Sequence, residues 1–363
     1  MPVSIVVGGQ FGSEGKGKVA LEIARRTKAA VVVRVGGTNS GHTAVDDSGR
    51  TWALRQLPVS VLAPCTTAIL PPGAIIDPEI FGREVDSLRL DRERVIVSPY
   101  ATVISETDKE SERAAGLVAQ IGSTGSGTGA ALNRRISRHS SEAVLAGEHP
   151  ALKNYLGDTA SFMRATLNNK GRVVIEGSQG FGLSLLHGGY YPKATSRDTT
   201  AATFLGEAGL SPRDVDDITL VIRCHPIRVA GQSGPLKGET TWTQIARTAG
   251  LPDDYCELTT ATGKIRRVGT FDDGLVCRAI AANNPSRIVL NHFDYVDAEV
   301  RDHVFNVRAL EFLKTVEDGI GLRVNWLGTG PARLVERSEI GNTIRSTNFK
   351  VSAPTGPNYS FNS

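Results

Sequence analysis

The sequence predicts an α/β protein: a mostly parallel central sheet with flanking helices. Three observations carry this. Short β-branched runs alternate with stretches of helical periodicity. The lengths of both match those of an α/β domain. Glycine-rich segments stand where several of the β-branched runs end, which is where open parallel sheets bind ligands.

The elements follow in order. Residues 3–7 (VSIVV) form the first strand, and residues 18–26 the first helix. A second strand spans 29–35 (AAVVVRV), a helix 78–88 and a short strand 95–97. A helix is expected over 111–120, and 122–166 reads as helical excursions off the sheet. Then come a strand at 172–175, a helix at 201–208, a strand at 218–223 and helices at 242–248 and 274–283. A strand at 287–290, a helix at 307–316 and a strand at 322–326 complete the pattern. With no internal repeat and no Pro/Gly/Ser-rich linker, residues 1–351 read as one domain with insertions. The polar segment 352–363 reads as a C-terminal tail.

Bulk composition excludes several classes of function. Of 363 residues, 40% are hydrophobic and 22% charged, and the net charge is only +3. That balance carries no electrostatic signature of nucleic-acid or membrane binding. Cys65, Cys224, Cys256 and Cys277 form no CxxC or Cys/His metal spacing, which fits a reducing compartment without structural zinc. No signal-peptide pattern opens the chain and no run reaches membrane-spanning length, so a cytoplasmic protein is expected.

The first strand opens into GGQFGSEGKGK, residues 8–18. From Gly12 this has the G-x-x-x-x-G-K spacing of a phosphate loop, with Val19 where Ser or Thr would ligate magnesium. Glycines let backbone amides approach phosphate oxygens, and the following helix N-terminus favours an anion. Lys18 or Lys16 would neutralise a transferring phosphoryl group. Metal ligation then falls to a hydroxyl such as Ser13 or to a backbone carbonyl.

The second strand leads into GGTNSGHT, where His42 between Gly41 and Thr43 is a candidate acid or phosphate partner. GSTGSGTG at 122–129, followed by Arg134, Arg135 and Arg138, offers hydroxyls, glycines and bidentate cations for a phosphate. In EGSQG, Gln179 brings an amide donor to a strand end, suited to a carbonyl oxygen on a base. TTATGKIRR, residues 259–267, mixes hydroxyls with Lys264, Arg266 and Arg267, a combination suited to a small dicarboxylate.

Taken in order, GSEGKGK, GGTNSGHT, GSTGSGTG with Arg138, EGSQG, TSRDTT, TTATGKIRR and LGTGP resemble adenylosuccinate synthetase over most of the chain. The resemblance implies a phosphate-loop-NTPase-like fold, a homodimer and magnesium. It also implies a reaction in which a nucleoside triphosphate phosphorylates O6 of a purine monophosphate and the amine of L-aspartate displaces that phosphate. Ser13, Glu14, Gly15, Lys16, Gly17 and Lys18, with Gly41, His42 and Thr43, would hold the triphosphate. Asn291, Asp294, Gly328 and Gly330 would meet its nucleoside end. Ser13, Asn39, Ser123, Thr124, Gln179 and Thr195 would bind the monophosphate, with Arg138 reaching in from the partner subunit. Thr262, Gly263, Lys264 and Arg267 would take the aspartate, and Ser13 and the Gly41 carbonyl would ligate the metal. Ser13, Lys18, His42 and Gln179 would carry the chemistry.

Three residues depart from the family pattern. The family's first motif reads GDEGKGK, and its aspartate removes the purine N1 proton; here it is Ser13. The guanine-reading Lys-x-Asp becomes His292-Phe293-Asp294, and an arginine of the aspartate loop becomes Lys264. Serine is smaller than aspartate and makes room for a guanine 2-amino group. In this the chain resembles the phage branch of the family, which converts dGMP to N6-succino-2-amino-2′-deoxyadenylate, and it would then work in a host cytoplasm. The resemblance implies dGMP or GMP as acceptor and ATP or dATP as donor. Three roles stay open to Ser13: orienting the base, ligating magnesium or relaying a proton. The competing readings are an ordinary synthetase using IMP and GTP, an inactive nucleotide-binding regulator, and an unrelated phosphate-loop NTPase. Retention of Lys18, His42 and Gln179 argues against the regulator.

Overall fold

A computed structural model describes residues 2–138, 143–259 and 263–344. Its central feature is a nine-stranded sheet. From one edge the strands are Leu334–Glu336, Trp326–Gly328, Arg287–Asn291, Val215–Arg223, Val3–Gly8, Val173–Glu176, Val31–Arg34, Thr67–Leu70 and Val95–Val97. Every pairing in it is parallel except that of the two strands at the first edge. The α/β class read from the sequence is therefore the fold observed.

The first strand lies at the middle, in register with both neighbours (Val6 opposite Thr219 and Glu176). All six of its residues are buried, because helices cover both faces of the sheet. On one face Val3, Ile5 and Val7 join a core with Phe204, Val276 and Leu313. On the other Val6 packs with Val19, Ile23 and Phe81. Residues of one strand thus serve two cores by simple alternation.

Local differences from the sequence reading have identifiable causes. The first helix begins at Lys16, because Gly15 adopts the left-handed conformation (φ 86°) and caps it. The helix expected over 111–120 is two helices, Glu106–Ala114 and Leu117–Ile121, parted by Gly116 at φ 67°. The last parallel strand runs Trp326–Gly328 rather than 322–326, since the preceding helix continues to Ile320. The strand Thr67–Leu70 and the hairpin His42–Val45 with Thr51–Leu54 carried too short a pattern to be read. Helices Thr128–Ser137 and Thr159–Asn168 occupy much of the expected excursion, whereas 352–363 lies outside the described residues. Among the described residues, no helix is long and apolar enough to cross a membrane.

Candidate active site

The carboxyl ends of the central strands converge on one cleft. A cavity of about 310 Å³ is lined by Ser13, Gly15, Lys16, Gly17, Lys18, Gly41, His42 and Thr43. The lining also includes Tyr255, Glu257, Leu258, His292, Asp294, Tyr295, Arg301, Gly330 and Pro331, and Gly330 meets Lys18 directly. A glycine- and cation-rich cradle therefore shares the cavity with an aromatic and acidic wall.

The phosphate loop is held from beneath. Glu14 is fully buried; its Oε1 accepts from the backbone of Gln10 (3.1 Å) and Gly12 (2.8 Å). Its Oε2 pairs with Lys16 Nζ at 2.7 Å. Arg223 donates to the Ser13 carbonyl (3.0 Å), and Asn291 Nδ2 to that of Glu14 (2.7 Å). Ser13 itself is exposed at φ 56°. The first turn of the following helix carries no acidic residue, so its positive end meets only lysines, an arrangement that an anion completes.

Lys18 donates to the Gly330 carbonyl at 3.0 Å. Burial lowers its pKa from 10.5 to about 8, partly offset by Asp294. Gly328 must be glycine here: a Cβ would lie 1.9 Å from Asn291 Oδ1 and 2.7 Å from Lys18 Nζ.

His42 opens the hairpin strand His42–Val45 and lines the cavity with Thr43. Its Nδ1 stands 2.5 Å from Glu176 Oε1, and Arg34 reaches both groups. Glu176 also accepts from Val59 N, Ser60 N and Ser60 Oγ at 2.9–3.2 Å. Burial disfavours the Glu176 anion, but His42, Arg34 and Ser60 outweigh it and hold the carboxyl at about 2. Burial and then Arg34 lower His42 from 6.5 to about 3, so its ring is neutral at pH 7. With Nδ1–H committed to an anion, Nε2 is the nitrogen left to handle a proton, with an Arg34 terminal nitrogen 2.9 Å from it.

At the aromatic and acidic wall Arg223 grips Glu257 through both oxygens (2.6 and 3.2 Å), and Glu257 accepts from Tyr295, which accepts from Tyr255. Burial opposes ionisation of Glu257, and Arg223 overrides it, to about 2. His292 packs on Tyr295 with ring centroids 5.0 Å apart.

The other expected residues lie outside this lining and have partners of their own. Asn39 Nδ2 donates to Thr195 Oγ1 at 3.3 Å, and Gln179, at φ 62°, lies against Gly12. Ser123 accepts from Gly125 N (3.1 Å), and Thr124 donates to Ser126 (3.2 Å). The amides of Gly127, Gly129 and Ala130 are already taken by Glu112, so this loop offers a ligand its hydroxyls more than its helix N-terminus. Arg138 is exposed at the far end of that helix, about 15 Å along ten residues.

In the expected aspartate loop, Thr262 lies outside the described residues. Gly263 is at φ 63°, and Lys264 is exposed. The Arg267 guanidinium pairs with both oxygens of Glu239 (2.6 and 2.7 Å), while Arg266 turns toward Glu257. Sequence reading missed Arg34, Glu176, Arg223, Tyr255, Glu257, Tyr295 and Arg301. Glu176 left a signal, a carboxylate closing an apolar strand, but its partner His42 is 134 residues away.

The donors of the cleft also bear on magnesium. Among the described residues, no group of three or more His, Cys, Asp or Glu is placed to hold a metal ion. Ser13 and the Gly41 carbonyl are oxygen donors of the kind that complete a magnesium shell made largely of phosphate and water.

A parallel α/β sheet with an anion cradle, a buried His–Glu pair and an acidic, aromatic wall defines a protein built to bind a phosphorylated ligand at the ends of its strands. The adenylosuccinate synthetase family model matches residues 5–146 and 142–304. The adenylosuccinate synthetase of Pyrococcus sp. (strain ST700) is 35% identical over 339 residues, covering 91% of this chain and 96% of that protein. That of Thermococcus onnurineus is 36% identical over 339 residues, covering 91% and 96%. This chain belongs to the adenylosuccinate synthetase family. Among solved structures, it is similar to cyanophage S-2L succinoaminodeoxyadenylate synthetase (PurZ) bound to dGMP and dATP as an energy donor. The TM-score is 0.80 at 28% identity, covering 94% of this chain and 97% of that one. The fully ligated Plasmodium falciparum enzyme shares the fold (TM-score 0.79, 20% identity, 93% and 100% covered).

Proposed function

We propose that the protein joins L-aspartate to C6 of dGMP, with hydrolysis of ATP or dATP, giving N6-succino-2-amino-2′-deoxyadenylate for 2-aminoadenine DNA. One observation carries this reading: the phosphate loop presents no carboxylate to the cleft. Glu14 is folded beneath the loop against two amides and Lys16, and position 13, the family's aspartate, is an exposed serine. The space beside C2 of the acceptor base is then free of a charged group and admits a 2-amino substituent. The dGMP and dATP bound by the cyanophage enzyme agree with both substrates.

The residues divide the work as follows. The loop from Ser13 to Lys18, with Gly41, His42 and Thr43, cradles the donor phosphates, and Lys18 neutralises charge on the transferring phosphoryl group. When bound there, with Ser13 and the Gly41 carbonyl among its ligands, magnesium supplies charge neutralisation of the phosphates. His42 starts neutral; the negative charge brought by the phosphates favours its protonated form, held in place by Glu176. Gln179 donates to O6 and stabilises the negative charge that gathers there as O6 attacks the γ-phosphoryl group. Phosphorylation of O6 makes N1–H more acidic, which lowers the demand on any base and suits a serine at position 13. Asn39, Ser123, Thr124 and Thr195 hold the monophosphate, with Arg138 supplied across a homodimer. Thr262, Gly263, Lys264 and Arg267 take the aspartate carboxylates.

A second reading, IMP with GTP, has retained Asp294 and the ordinary synthetases among the relatives in its favour. A substrate matrix separates the two: IMP, GMP and dGMP against ATP, dATP and GTP, with aspartate and magnesium, read by product mass. Faster succinylation of IMP than of either guanine nucleotide overturns the dGMP reading.

A further inference from the structure

We propose that Arg301 sets the base identity of the energy donor by saturating one of the two Asp294 oxygens, so that adenine triphosphates are accepted and guanine ones disfavoured. This rests on the reading that the cleft holds a donor nucleoside triphosphate with its base at the acidic, aromatic wall.

Asp294 is buried, and Arg301 donates to a single one of its oxygens, Oδ2, from Nε (3.0 Å) and from a terminal nitrogen (2.7 Å). Both residues line the cavity. The Arg301 segment is anchored in turn, its carbonyl accepting from Arg333 at 2.9 Å. Among the described residues, no donor is paired with Oδ1.

A carboxylate recognises guanine with both oxygens, one for N1–H and one for the 2-amino group. Two guanidinium N–H groups fill both lone-pair positions of Oδ2. Guanine would then bring two donors to one free oxygen and press the other against a cation. Adenine brings only its 6-amino donor, which Oδ1 alone can accept. The same aspartate that would read guanine when free therefore reads adenine when half of it is occupied. His292 adds to this by placing a ring, packed on Tyr295, in the position of the family's lysine.

The test compares wild-type protein with Arg301→Ala and Arg301→Lys. Equilibrium binding of ATP, dATP and GTP with magnesium is measured alongside kcat/KM for each donor at saturating dGMP and aspartate. The Arg301 side chain is 41% exposed, so its removal leaves the core intact. Loss of one charge-assisted hydrogen bond is worth about tenfold or more, so the GTP-to-ATP ratio is expected to rise by at least about tenfold in Arg301→Ala and by less in Arg301→Lys. An unchanged ratio overturns the proposal, whether both donors weaken together or neither moves, because a merely structural arginine affects both alike. A wild-type preference for GTP overturns it as well. Failure of every triphosphate to bind the wild-type protein overturns the donor-site reading first, and the proposal with it.

Discussion

Replacing Glu176 with glutamine keeps the side chain's shape and removes the charge that organises His42. The carboxylate is fully buried and accepts from Arg34, His42 and Val59 on Oε1 and from the amide and hydroxyl of Ser60 on Oε2. A glutamine amide nitrogen placed at either position faces two or three donors with donors of its own. Arg34, 1% exposed, is left without its buried counter-ion, a change that costs about 3–5 kcal/mol. With an unfolding entropy of about 2.1 cal/mol/K per residue over 363 residues, this is a Tm lower by roughly 4–7 °C. Catalysis suffers separately, because His42 loses the anion that fixes its tautomer and holds its protonated form. General acid–base catalysis contributes about 10²–10⁴-fold, so kcat is expected to fall about a hundredfold with the donor KM little changed. Calorimetry and product mass analysis measure the two effects on one preparation. A folded Glu176→Gln protein with kcat within about threefold of wild type would refute the assigned role and leave Glu176 a bracket for the Val59–Leu62 turn.

Three further outcomes are expected. Ser13→Asp should lower kcat/KM for dGMP more than for IMP, because overpacking beside C2 costs about 1–3 kcal/mol, or roughly ten- to hundredfold; an unchanged or larger dGMP-to-IMP ratio removes Ser13 from the specificity argument. Lys18→Ala should fold normally and lose on the order of several kcal/mol of transition-state stabilisation, so wild-type turnover in that variant would mean the phosphate loop has been misread. His42 and His225 have pKa values of about 3 and 4 in the fold, lowered by burial and then by Arg34 and Arg223 respectively, against an ordinary 6.5. The unfolded chain then binds more protons between those values, so stability present above pH 6.5 is lost as pH falls toward 4; a Tm that stays flat from pH 7 to 4.5 contradicts this.

The parts of the site legible in the sequence were those written in consecutive residues. A glycine-rich stretch after an apolar run states its job locally, and such stretches after the strands ending at Gly8, Arg34 and Glu176 do border the cleft. What stayed hidden depends on distant pairing. Glu176 is a buried carboxylate in any reading, but that it anchors His42 follows only from the parallel pairing of Val173–Glu176 with Val31–Arg34. Arg223 closes a strand, as a solvent-facing arginine could. In the fold it is fully buried, bridging Glu257 and the Ser13 carbonyl across gaps of 34 and 210 residues. Arg301 and Asp294 are seven apart on two separate short 3₁₀ turns, Ala298–Asp302 and Phe293–Tyr295, so no single period links them.

The same distant contacts explain why position 13 can change chemistry without changing the loop. The turn is fixed by backbone and by side chains other than its own. Glu14 ties the amides of Gln10 and Gly12 from below, Arg223 and Asn291 hold the carbonyls of Ser13 and Glu14, and Gly15 starts the helix in a left-handed conformation. Ser13 contributes φ 56°, a geometry that aspartate and asparagine adopt more readily than most residues. Serine at this site therefore gives up a small conformational preference while the loop's restraints stay in place. A residue whose backbone is clamped by its neighbours and whose side chain is exposed at the cleft is free to follow the substrate, and Ser13→Asp tests the substrate without testing the fold.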